Sequence, residues 1–183
     1  MGERSQFIIA SKAHEGSAPD IQSVYYHWLN CEDMILQAAQ VVEMMAKWDR
    51  HPQVSKYAFL RGGSRKDIMR LVATIFDLDV TYGHPMEGDS SDKMVRYHTN
   101  HGAFVVYLGP ETWKFGFVSN GALQGVDTPT PLGGISYLMS EMYSELNRAE
   151  KLQVTHDAAF RILGDAEPKH FLTCKELYGL NIL

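Results

Sequence analysis

The segment from Cys31 to about Trp48 restricts the fold more than any other part of the sequence. Nearly all of its positions are apolar, and the polar ones form a narrow stripe at helical spacing. This stripe consists of Asp33, Gln37, Gln40 and Glu43. A helix that is apolar over most of its circumference is buried on more than one side. The pattern predicts either the central helix of the fold or a helix with one side against a second copy, in a homodimer formed through residues 31–48.

Strand signals surround this helix. Runs rich in β-branched and aromatic residues predict strands over 6–11, 21–28, 94–99, 103–108 and 112–119. Short turns separate the last three, which predicts an antiparallel meander. Helical periodicity predicts further helices over 65–78 and 135–150, then two shorter ones, the last of which starts near Pro168. This order indicates an α+β fold, an antiparallel sheet of about five strands with helices packed mainly on one face.

Length and composition favour one ordinary globular domain. The chain has 183 residues, of which 45% are hydrophobic, so we expect a single domain over 1–183. A net charge of −5 disfavours nucleic acid as a partner, because binding to a phosphate backbone needs a basic surface. Apolar runs are too short for a membrane span and there is no signal-peptide pattern, so we expect a cytoplasmic protein. The two cysteines are far apart and have no zinc-ligand spacing, so we predict neither a metal site nor a cofactor.

One loop has the chemistry of an anion site. Its residues combine three cations, two glycines and a hydroxyl at the start of a predicted helix, where free amide groups and the helix dipole favour negative charge. The loop consists of Arg61, Gly62, Gly63, Ser64, Arg65 and Lys66. The spacing of a Walker A motif is absent, so no NTPase activity is predicted. The alternative interpretation of the same residues is a capped helix on the surface whose charges contact water and bind no anion.

Histidines supply the remaining catalytic candidates. His27 lies on the second predicted strand and His98 precedes a predicted turn, and an acid/base pair for phosphoester cleavage would result if these strands were neighbours. His98 and His101 have too few companions for a metal site. Cys31 near a helix start is a candidate thiolate, although a small buried apolar residue is the simpler interpretation. The alternative interpretation is that the histidines are scattered surface residues without a catalytic role.

The start of the chain carries a family resemblance. Met1-Gly2-x-Arg4-Ser5, a short strand, a loop and then Tyr26-His27-Trp28 before a helix resemble small proteins of bacteriophages and mobile elements. These proteins commonly begin Met-Gly-x-Arg and have an aromatic–His–Trp cluster at the end of the second strand. This chain departs from them in having Leu29-Asn30-Cys31 where many have a glycine-rich segment. The resemblance covers about the first 45 residues and implies an accessory role, with no activity attached.

Two functions follow as expectations. The first is a phage-type accessory protein that acts without catalysis, by binding a host or phage macromolecule, in host takeover or against host defence. A protein partner fits best, and the expected location is then the host cytoplasm. The alternative is a nucleotide or phosphate-compound binder, or a phosphoesterase-like enzyme, that uses residues 61–66 with His27 or His98.

Overall fold

The computed structural model describes residues 4–12, 14–27, 31–50, 85–86, 99–109, 112–125, 131–132, 161–166 and 170–183. The elements along the chain are β1 (Arg4–Ser11), β2 (Asp20–His27), α1 (Cys31–Arg50), β3 (Pro85–Met86), β4 (Ala103–Leu108), β5 (Trp113–Val118), α2 (Asn120–Leu123) and α3 (Cys174–Gly179). Residues 161–166 are also helical. The predicted loop and helix over 61–78, most of the strand over 94–99 and the helix over 135–150 lie outside the described residues.

The strands form one mixed sheet in the order β3-β2-β1-β4-β5. β1 pairs with β2 in antiparallel fashion but with β4 in parallel, in the register Gln6↔Ala103 to Ser11↔Leu108. The predicted antiparallel sheet is therefore wrong. The reason lies in β4, which uses one edge for β1 and the other for β5. β1 therefore takes the place beside β4 that the predicted meander gave to residues 94–99.

Both faces of the sheet are covered, so the prediction of helices mainly on one face is also wrong. Alternation along β1 directs Phe7 and Ile9 to the first face and Ile8 and Ala10 to the second. On the first face, α1 and Leu163 pack over the aromatic core. On the second face, α2 and the 170–183 segment supply the cover; their buried side chains are Ala122, Leu123, Leu172, Leu177, Leu180 and Ile182. Because both faces are buried, the central strands are apolar at almost every position.

The apolar residues of α1 are buried within the chain itself. Its buried side chains belong to the first-face core, and they are Cys31, Met34, Ile35, Ala38, Ala39, Val41, Val42 and Met45. The residues of α1 described as exposed are polar: Asp33, Gln40 and Glu43. This burial fits the central-helix alternative. In the part of the chain that the structure describes, no helix is long and apolar enough to cross a membrane.

Other chain segments close the outer edge of β5. Phe117 exchanges two backbone hydrogen bonds with Leu132, at 2.8 and 3.0 Å, and the Leu172 amide donates to the Phe115 carbonyl at 2.8 Å. Two residues earlier in each segment, the His170 Nδ1 lies 2.9 Å from the Trp113 carbonyl. An open strand edge exposes unpaired amides and carbonyls to other chains. Residues 131–132 and 170–172 supply partners for this edge instead.

Helix caps correct two predicted boundaries. The Ser119 side chain accepts a hydrogen bond from the Ala122 amide and starts α2 within a stretch, 120–134, that composition predicts to be irregular. Thr173 and Glu176 form a reciprocal capping box, so α3 begins at Cys174 rather than near Pro168. The sequence Thr173-Cys174-Lys175-Glu176 is itself the signal for this start.

Candidate functional site

Polar side chains are buried together on the second face of the sheet, at the end where β1 begins. Gln6 and Ser23 are buried at 0% and 5% exposure, and the Gln6 Nε2 donates a hydrogen bond to the Ser23 Oγ. Arg4 lies two residues before Gln6, which puts it on the same face of β1, and it is half-buried. We call Arg4, Gln6 and Ser23 the arginine cluster. Buried polar groups in a strand this apolar cost free energy unless they are hydrogen-bonded, and the bond between Gln6 and Ser23 offsets part of this cost.

Strand pairing brings two histidine positions to the two sides of Arg4. The Cα of His27 is the register partner of the Cα of Arg4 across β1 and β2. On the opposite side, the amides of Asn100 and His101 both donate to the Arg4 carbonyl at 3.1 Å. Neighbouring strands are about 4.8 Å apart, so the backbones of residues 27 and 101 are separated by roughly 10 Å. β1 therefore separates the backbone of His27 from that of His101.

The Arg4 guanidinium has an unsatisfied donor. Within the described part of the chain, its Nε is buried and has no hydrogen-bond partner. A buried donor without an acceptor costs about 1–3 kcal/mol. Since the side chain as a whole is only half-buried, part of it remains in contact with solvent. The arrangement therefore combines a buried Nε–H without an acceptor with a side chain that is partly open to solvent elsewhere.

A tight turn fixes the backbone beside Arg4. Thr99 is fully buried, and its amide and hydroxyl both point to the Asn120 Oδ1 at 3.4 Å, which is long for a hydrogen bond. Gly102 has a φ of +73°, in the left-handed region that favours glycine, and its carbonyl accepts from the Gln6 amide at 3.1 Å. The turn is consequently tied to β1 on one side and to the start of α2 on the other.

The other predicted site residues divide into two groups. The loop formed by residues 61–66 and His98 lies outside the described residues, so both stay predictions. Cys31 is described and is 5% exposed, which fits the small buried residue better than the nucleophile. Gln6 and Ser23 are not among the predicted site residues, although a glutamine at the start of an apolar strand indicates a polar group in the core.

A second polar group lies on the same face, towards the other end of β4 and β5. The Lys114 Nζ is 2.6 Å from the Glu176 Oε1, and the amide and hydroxyl of Thr173 both donate to the Glu176 Oε2 at 2.8 Å. Burial raises the pKa of Glu176, but the hydrogen bonds from Lys114 and Thr173 outweigh it, so the pKa is lowered overall. Burial first, and then the charges of Glu176 and Glu15, raise the pKa of Tyr107. The bonds among Lys114, Glu176 and Thr173 hold α3 against the sheet.

A histidine stacks on a tryptophan at the edge of the first face. The rings of His170 and Trp113 lie 3.7 Å apart at an interplanar angle of 6°. Because a carbonyl oxygen can only accept, the Nδ1 of His170 carries the proton in its 2.9 Å bond to the Trp113 carbonyl. Stacking and hydrogen bonding give His170 a structural role in closing the β5 edge.

The described residues assemble no recognisable catalytic set. Among the described residues, no group of three or more His, Cys, Asp and Glu side chains could hold a metal ion. The chain matches no protein-family model, no curated protein and no solved structure. Any functional conclusion therefore rests on the chemistry of the groups described above.

Proposed function

We propose that this chain is a phage-type accessory protein that acts in the host cytoplasm by binding another protein, of the host or of the phage. One observation carries the proposal. Among the described residues, Tyr178 is the large hydrophobic side chain that remains exposed, with 52% of its surface in contact with solvent. Exposed tyrosines are frequent energetic centres of protein interfaces, because they offer a large apolar ring with a polar end.

The helix that carries Tyr178 is held firmly. Leu177 is buried in the second-face core, the capping box closes the start of α3, and Lys114 bonds Glu176 from β5. A binding residue on a rigid element loses little conformational entropy when a partner arrives. Since Lys175 and Gly179 on the same helix are also exposed, a partner can reach Tyr178 without displacing the core.

The test compares tagged wild-type protein with a Tyr178→Ala variant in quantitative pull-downs from lysate of the cells in which the gene is expressed. We expect a protein that is captured by the wild type and lost with Tyr178→Ala. Gln40→Ala is the matched control, because Gln40 is exposed on α1 over the opposite face of the sheet. Equal capture by wild type and Tyr178→Ala would exclude this surface, and an equal loss of capture with Gln40→Ala would show that the effect does not depend on Tyr178.

The second candidate function is binding or cleavage of a nucleotide or another phosphate compound through Arg61, Arg65 and Lys66 with His27 or His98. The register Arg4↔His27 and the bonds of residues 100 and 101 to Arg4 support it, because they bring two predicted histidine segments to one end of the sheet. We expect mono-, di- or cyclic nucleotides to raise the thermal midpoint, and the double variant Arg61→Ala, Arg65→Ala to abolish the effect. Unchanged midpoints with every nucleotide would remove this function.

A further inference from the structure

We propose that Asn120 is a self-modification site, at which the main-chain nitrogen of Gly121 attacks the Asn120 side-chain amide and the asparagine becomes an acidic residue. Asn120–Gly121 is the only asparagine–glycine pair in the sequence. Glycine has no Cβ to obstruct the rotation that brings its nitrogen to the side chain before it. The site goes beyond the protein-binding function, because the reaction needs neither a partner nor a ligand.

Water is the only other reactant. The Gly121 nitrogen loses its proton to water or hydroxide and bonds to the Asn120 Cγ, the bond from Cγ to Nδ2 breaks, and ammonia leaves. Water then opens the resulting imide ring and the nitrogen regains a proton. Breaking the new bond between Cγ and nitrogen gives aspartate, whereas breaking the main-chain bond gives isoaspartate. Water is consumed and ammonia released in equal amounts, and no atom is oxidised or reduced.

Thr99 places two donors at the oxygen that becomes negative during the attack. Its amide nitrogen and its hydroxyl oxygen each lie 3.4 Å from the Asn120 Oδ1. These contacts are long while the side chain is a neutral amide. An oxygen that gains charge attracts both donors more strongly, so they stabilise the tetrahedral intermediate more than the starting asparagine. Thr99 therefore acts on Asn120 as an oxyanion hole acts on a substrate.

The fold holds these donors in place before the reaction begins. Thr99 is fully buried, and the amides of Asn100 and His101, which follow it, both donate to the Arg4 carbonyl at 3.1 Å. Donors that are fixed in advance need no reorganisation when charge develops. Asn120 itself is only half-buried, so water can reach the reacting pair.

The attacking nitrogen is not committed to the hydrogen bonds of α2. An amide in the first turn of a helix has no acceptor within that helix. The nearby acceptors of Ser119 serve other residues: its side chain bonds the Ala122 amide and its carbonyl bonds the Leu123 amide. α2 has only four residues, and a helix this short resists local rotation weakly. Gly121 can therefore turn towards the Asn120 Cγ.

The experiment incubates the intact protein at mildly alkaline pH and follows Asn120 by tandem mass spectrometry of its peptides. The exchange of NH2 for OH changes the mass, and the new negative charge changes elution from an ion-exchange column. We expect the folded wild type to convert at least as fast as the same chain in urea. Gly121→Ala should convert at least about tenfold more slowly, because its Cβ hinders the attack. Thr99→Val should convert at least about threefold more slowly, because it removes one of the two donors.

Two controls accompany the measurement. Asn100 is an exposed asparagine followed by His101 rather than glycine, and it should remain unmodified in the same samples. Alanine is favoured in a helix, so Gly121→Ala should keep α2 intact. Circular dichroism of each variant establishes that it is folded.

Each of three outcomes would overturn the proposal. The first is slower conversion in the folded protein than in urea, which would show that the fold protects Asn120. The second is an equal rate in wild type and Gly121→Ala. The third is an equal or higher rate in Thr99→Val, which would mean that the two donors do not promote the attack. Should Thr99→Val fail to fold, the comparison with urea and the Gly121→Ala variant still decide the question.

Discussion

Glu176 offers the sharpest test of how the 170–183 segment is held on the sheet. Its carboxylate accepts a charge-assisted hydrogen bond from Lys114 at 2.6 Å and two bonds from Thr173 at 2.8 Å. Glu176→Gln keeps the shape but removes the charge. A partly exposed ion pair is worth about 0.2–1 kcal/mol and a helix cap about 1 kcal/mol, of which the amide keeps a part. We therefore expect a loss of about 1–1.5 kcal/mol at pH 7, and a thermal midpoint lower by roughly 2–6 °C.

The pH dependence of this loss identifies its cause. The pKa of Glu176 in the folded protein is lowered from its ordinary value of 4.5, so folding favours the ionised carboxylate. The stabilisation is present above pH 4.5 and disappears as the pH falls through the lowered pKa of the folded state. The difference between wild type and Glu176→Gln should consequently shrink in acid. Urea denaturation at pH 7 and at successively lower pH measures it.

The control for the ion pair is a double-mutant cycle with Lys114→Met. We expect positive coupling between the two substitutions at pH 7 that weakens with added salt, because the pair is partly exposed to solvent. A constant difference between wild type and Glu176→Gln over the whole pH range, together with zero coupling to Lys114, would refute the argument.

Three further variants and titrations test other parts of the fold. Gly102→Ala should lower the free energy of unfolding by about 1–2 kcal/mol, measured in urea, because its φ of +73° disfavours a side chain; an unchanged value would contradict the turn geometry. Phe104→Ala should cost about 3–5 kcal/mol, since the ring is buried against Phe7 and Phe117. The raised pKa of Tyr107 means that stability present below pH 10 is lost as the pH rises through the folded pKa. Alkaline unfolding of wild type against Tyr107→Phe measures this loss, and identical curves would argue against it.

Local elements were predictable because their signals are local. The prediction of strand 103–108 agrees with β4, and the helix predicted over 31–48 agrees with α1 apart from its end at Arg50. The alternation of Trp113, Phe115 and Phe117 correctly predicts a buried face of β5. The intervening Lys114 and Gly116 predict a water-facing side for this strand, but Gly116 and Val118 are buried there. An added Cβ at Gly116 would lie 3.5 Å from the Leu172 Cβ, so the 170–183 segment packs directly on the strand.

Pairing partners were not predictable because they depend on residues far apart in the chain. Consecutive apolar residues indicate that β1 is buried on both faces. Nothing in these residues selects β4 as a parallel neighbour. The ion pair between Lys114 and Glu176 joins residues 62 positions apart. The candidate site follows the same rule: Gln6 and Ser23 each belong to a predicted strand, and only the register brings their side chains together.

The closed edge of β5 has a consequence for how the protein is made. His170 is 57 residues beyond the Trp113 carbonyl to which it donates. During synthesis β5 therefore emerges from the ribosome long before residues 170–172, and the carbonyls of Trp113 and Phe115 that these residues later bond face solvent in the interval. A ribosome that pauses between these segments leaves a nascent chain in which the edge of β5 can pair with strands of other chains. We expect such pauses, rather than the finished protein, to be the main source of aggregation during expression.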